Sequence, residues 1–80
     1  MGISALKLDS DAVDVRATDD ALHVVLADRR ELSAPLEWFL RLRDAPPEQR
    51  KIWRLIGGGQ GIHWPELDED IAVETLLRSS

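Results

Sequence analysis

Residues 61–70 read GIHWPELDED, which sets His63 within seven residues of Asp68, Glu69 and Asp70. An imidazole beside carboxylates is the ligand set of zinc or iron, and also the raw material of an acid/base pair. The spacing fits neither chemistry well. It matches no zinc motif, and the three acids lack the glycine and the distal glutamate of a calcium loop. A general acid would need a pocket that raises a carboxyl pKa, and a chain of 80 residues has little interior from which to build one. Ser33 is the only serine well inside the patterned region and lies in no nucleophile elbow. The chain has no cysteine, so thiolate chemistry and disulfides are excluded. The residues therefore predict no catalytic set, no metal site and no cofactor. A metal or catalytic centre on His63 and Asp68 to Asp70 is the disfavoured alternative, and His23 reads as a surface or satisfied histidine on a strand.

Two further constellations are made for contact. Arg41, Arg50, Lys51 and Arg54, interleaved with Trp38 and Trp53, could pair phosphates and stack bases. A net charge of -5 opposes that reading, because neutralising phosphates takes a basic surface. Residues 65–75 carry Glu66, Asp68, Glu69, Asp70 and Glu74 with no cation, which suits a basic partner or head-to-tail self-association. Trp38 and Trp64 are the candidate apolar anchors of such an interface, with Glu66, Asp68, Glu69 and Asp70 steering the approach. The glycines of GGGQG, residues 57–61, expose backbone N–H groups but lack the GK[ST] ending of a phosphate loop, so they read as a tight turn.

These residues must be positioned by a small α+β domain. Val13 and Val15 alternate with Asp14 and Arg16, and Leu22, Val24 and Leu26 alternate with His23, Val25 and Ala27. Both are strand patterns, and Asp19-Asp20 is good turn chemistry between them. Glu31 to Ala34 completes a three-stranded antiparallel meander. Pro35 then opens a helix over 36–44, with Leu36, Phe39, Leu40 and Arg43 on one face, Trp38 on its shoulder, and Ser33 or Ala34 as cap. Pro46 and Pro47 separate it from a second helix over 48–55, with Ile52, Leu55 and Ile56 inward and Arg50, Lys51 and Arg54 mostly outward. Residues 62–64 form a short fourth strand joined to the same sheet, and 73–77 a last helical turn. Residues 1–10 are expected to be partly ordered and 79–80 a frayed tail. No repeat, linker or low-complexity segment is evident.

A hydrophobic fraction of 44% with 31% charged residues suits one folded domain. No apolar run approaches the roughly 20 residues of a membrane helix. Five aspartates within residues 1–20 exclude a secretory signal there, so the expected location is the cytoplasm.

APLEWFLRLRDAPPEQRKIW followed by GGGQGIHWPELDEDIAVETLL resembles domain of unknown function family 2442. These are small bacterial proteins with the pattern PL-x-W-F-P-R-L, then A-x-x-x-x-R-x-x-W, then G-I-H-W-P-x-x-D-E-D-I. The resemblance covers nearly the whole chain. It implies a compact domain of three strands, helix, strand and helix, and an antitoxin-like partner of another short protein; with no catalytic set assembled, the expected role is a non-enzymatic interaction module or regulatory partner. A homodimer is the other partner expected, and nucleic acid the alternative. Two departures stand out. Leu40 replaces the usual Pro, which predicts a first helix running unbroken through it. Ala72 replaces a common Ser and removes an N-cap worth about 1 kcal/mol, which the acids Asp68 to Asp70 would partly offset at the helix entry.

Overall fold

The structure, a computed structural model, describes residues 9–79, so residues 1–8 of the expected N-terminal segment and Ser80 of the expected tail lie outside the described residues. The first sheet is the expected meander of β1 (Ala12–Ala17), β2 (Ala21–Leu26) and β3 (Glu31–Pro35), antiparallel and in that order. Leu22, Val24 and Leu26 point inward and their neighbours outward, as period two requires. β1 departs from the simple alternation. A bulge between Ala12 and Asp14 buries Ala12 and Val15 and turns Val13 outward, 52% exposed. At the β2–β3 turn the Asp28 carboxylate accepts the N–H groups of Asp9 and Arg30 and the Arg30 Nε, at 2.8–3.1 Å. Partial burial pushes this carboxyl upward. The two backbone N–H groups and the guanidinium outweigh it and hold the group below its ordinary 3.8.

The helices are shorter than their patterns predict. Leu36–Trp38 is a single 3-10 turn, Phe39 is extended (φ -127°, ψ 82°), and α1 covers only Leu40–Arg43. The unbroken helix expected through Leu40 is therefore corrected. Leu36 and Leu42 explain the break, since both are buried and residues six apart on a continuous helix would point about 120° away from each other. Interrupting the helix at Phe39 lets both reach the core. Leu40, expected inward, is 55% exposed. Nor is there a side-chain cap from Ser33 or Ala34; Pro35 occupies that position.

The second expected helix is corrected as well. α2 spans Pro47–Arg50, and the chain then extends into β4 (Arg54–Ile56), leaving Ile52 and Ile56 exposed rather than inward. A glycine turn, Gly57–Gly59, connects β4 to β5 (Gly61–Trp64), and β6 (Glu69–Ala72) follows before α3 (Val73–Ser79). The strand over 62–64 thus belongs to a second antiparallel sheet, β4-β5-β6, and does not join the first. The α+β class holds, and the acids Glu69 and Asp70 lie in a strand instead of at the entry to α3.

The two halves repeat each other. Each is a three-stranded meander followed directly by a helical segment. The outward row Arg16–His23–Ser33 of the first sheet matches Arg54–His63–Asp70 of the second, and the inward row Ala17–Leu22–Ala34 matches Leu55–Ile62–Ile71. The first N–H of each helical segment makes the same tie, from Leu36 to the Asp20 carbonyl (3.0 Å) and from Val73 to the Gln60 carbonyl (2.9 Å). This register aligns SAPLEWFLR (33–41) with DIAVETLLR (70–78), which share Glu, Leu and Arg at their last matching positions. No repeat was visible in the sequence because the hairpins between the matched segments differ in length. Inner faces of both sheets meet in one core of Leu22, Val24, Leu26, Ile62, Trp64 and Ile71, closed by Leu36, Leu42, Val73 and Leu76. Each fully buried aliphatic contributes about 1.5–3 kcal/mol of apolar transfer.

The glycine turn joins the halves. Gly59 (φ 107°) lies so close to β1 that an added Cβ would sit 2.7 Å from the Ala12 carbonyl oxygen, whereas Gly58 (φ 69°) faces open space. Gly58→Ala should cost about 1 kcal/mol for the left-handed backbone alone. Gly59→Ala should cost several times more, read as a lower denaturation midpoint, because β1 must move. Leu40 occupies the first position of α1 behind an extended residue, which is where proline fits. Leu40→Pro should therefore fold and stay within about 0.5 kcal/mol of the parent, or gain that much, by thermal unfolding.

Candidate functional site

One contact across the chain assembles a surface from distant residues. Arg41 Nη1 donates to the Asp68 carbonyl oxygen at 2.6 Å and lies 3.7 Å from Asp68 Oδ2. This ties α1 to the β5–β6 turn. The turn starts where Leu67 N–H donates to the Trp64 carbonyl, and it reverses at Asp68, which takes a left-handed backbone (φ 50°) that aspartate tolerates. Asp68 and Glu66 are exposed, and on the other side of the Arg41 tie Trp38 (54%) and Leu40 (55%) are more than half exposed. Arg41 thus links the segment that carries these exposed apolar side chains to an acidic turn.

The other expected partner residues are placed differently. Trp64 is wholly buried, its indole N–H donating to the Arg50 carbonyl at 3.1 Å, so it contributes no surface for a partner. Glu69 is half-buried, and its Oε1 accepts the Asp70 N–H at 3.2 Å. Asp70 sits directly opposite His63 on β5 and pairs with its Nδ1.

His63–Asp70 is a pair and nothing more. Asp68 faces Arg41, Glu69 turns along its own strand, and among the described residues no three His, Cys, Asp or Glu side chains converge on a point. In the first sheet Ser33 Oγ lies 2.9 Å and Glu31 Oε1 3.7 Å from the same atom, His23 Nδ1. A nucleophile and its orienting acid must use opposite ring nitrogens, so this arrangement does not activate the serine.

The four cations proposed for nucleic acid are not all presented at the surface. Arg41 is engaged by Asp68, and Lys51 and Arg54 are exposed on separate segments. Arg50, expected outward, is buried. Its guanidinium donates to the Leu42 carbonyl (2.9 Å), the Arg43 carbonyl (3.2 Å) and Asp19 Oδ1 (3.0 Å). Capping the last turn of α1 from inside costs the surface its central cation. A groove of about 600 Å³ beside the glycine turn, lined by Ile56, Gly61, Ala72, Val73 and Leu77, was not foreseen. Its signal was present in RLI-GGGQ-GIHW, two short apolar runs around glycines, which is a hairpin pattern.

Arg50→Ala should lower stability by about 3 kcal/mol in denaturant unfolding, because a buried and a partly buried carbonyl lose a charged donor. Arg50→Lys should recover only part of this, since one ammonium cannot span the three acceptors. Asp19→Asn should change stability by less than about 0.5 kcal/mol, as the Asp19 side chain is 88% exposed.

No helix among the described residues is long and apolar enough to cross a membrane. Neither the curated proteins nor the solved structures provide a match to the chain. The family model for protein of unknown function DUF2442 matches residues 12–80, which takes in both sheets and the helices among the described residues, and the chain belongs to that family.

Proposed function

We propose that the protein is a non-enzymatic, cytoplasmic interaction module of a bacterial cell, acting as an antitoxin-like or regulatory partner of a second small protein. The reading rests on one observation: Trp38 and Leu40 are more than half exposed on the segment that Arg41 ties to an acidic turn. Tryptophan is enriched among the residues that dominate interface energies, and a ring left in water by a chain with a closed core is available for such use. Glu66 and Asp68 beside it would steer a basic segment, with an on-rate that falls as salt rises. The dispersed cations and the overall charge of -5 favour this partner class over nucleic acid.

The test is native-level capture from the source cells with a tagged chain. A stoichiometric partner should co-purify with the parent. Its capture should fall at least about tenfold with Trp38→Ala, and with Glu66→Gln plus Asp68→Asn, the asparagine keeping the left-handed turn. Undiminished capture by both folded variants would remove this surface from the interface.

A further inference from the structure

Among the described residues, the outward face of the second sheet presents exposed side chains, and its composition is self-complementary. Across its centre runs the row Arg54–His63–Asp70, one residue from each strand, with Arg54 and Asp70 exposed and His63 held toward Asp70. The next outward row is Ile56–Gly61–Ala72. Ile56, 40% exposed, leans over Gly61: a Cβ added there would lie 3.0 Å from the Ile56 Cγ1. Beyond Gly61 the surface falls into the groove lined by Ala72, Val73 and Leu77. Each row is thus unlike at its two ends, cation against anion and large against small.

We infer that this face pairs with the same face of a second copy. The two-fold axis runs in the plane of the contact, along β5. That rotation exchanges the β4 and β6 sides while keeping position along the strands. Arg54 of each copy then faces Asp70 of the other, and Ile56 of each copy enters the groove beside Ala72 of the other. His63 sits on the axis. An isologous contact requires that whenever one residue meets a second, the second also meets the first, and both rows satisfy it. Stacked sheets separate by about 10 Å, which two layers of these side chains fill. A face three strands wide is smaller than the roughly 800 Å² per partner of a stable complex, so the dimer is weak, with a dissociation constant on the order of 100 µM. The inference uses residues other than the Trp38 and Asp68 surface and does not depend on the function proposed for it.

Sedimentation equilibrium of the purified chain, from about 20 µM to about 1 mM, reads the association directly. The parent should move from monomer to dimer over that range and no further. Arg54→Asp sets acid against acid at both ends of the row, and Asp70→Arg sets cation against cation. Each alone should weaken the dimer at least about tenfold, and the two together should restore it by reversing the pairing. Ile56→Ser, which leaves the row intact, should weaken it severalfold. Circular dichroism confirms that each variant is folded. A parent that stays monomeric at the highest concentration overturns the inference. So does a dimer indifferent to Arg54→Asp and Ile56→Ser, or one that the double exchange fails to restore.

Discussion

Arg50 and Trp64 form the junction on which the rest of the molecule depends. The Arg50 guanidinium donates to the Leu42 and Arg43 carbonyls at the end of α1 and reaches Asp19 in the β1–β2 turn, while its own carbonyl receives the Trp64 indole from β5. One residue thereby binds the first sheet, the helical connection and the second sheet. The arrangement satisfies the physics of burial at each end. A charge inside a small protein is tolerable when every donor finds an acceptor, and a buried indole needs a partner for its N–H. Among the described side chains that are not exposed, no buried polar atom is left without a hydrogen bond.

The repeat gives that junction its context. A three-stranded meander alone has one apolar face and nothing to cover it, and 80 residues cannot supply a separate core for each half. Two such units solve both problems by turning their inner faces toward each other and contributing one helical segment each. The halves then diverged where they meet the solvent. Trp38 and Leu40 stand out on the first unit, and the corresponding positions of the second are Thr75 and the half-buried Leu77. The two most exposed large apolar side chains, Trp38 and Leu40, therefore stand on the first unit's helical segment.

Electrostatically, five of the ten Lys and Arg side chains are used internally. Arg30, Arg41, Arg43, Arg50 and Arg78 each engage a carboxylate or a carbonyl of the same chain. The stretch that looks basic in one dimension is thus largely neutralised in three, and the acids beyond it at Glu66 and Asp68 carry the local sign.

The meander was legible in the residues themselves, because period-two alternation over Leu22 to Leu26 and the Asp19-Asp20 turn are local signals that tertiary contacts had no reason to override. The family signature was legible for the same reason. The helices were not. Leu36 to Arg43 has a helical period, yet the chain breaks at Phe39 because two leucines six apart must reach one core, a demand set by the sheet beneath them. Trp53 to Ile56 fits a helix as well as a strand, and only its pairing with Gly61 to His63 across the glycine turn selects the strand. Arg50 reads as a surface cation in any helical projection, and it is buried because the end of α1 places the Leu42 and Arg43 carbonyls within reach of its guanidinium. Local periodicity thus determined which segments are regular, and the competition for a single small core decided their lengths, their sheet and the residues left at the surface.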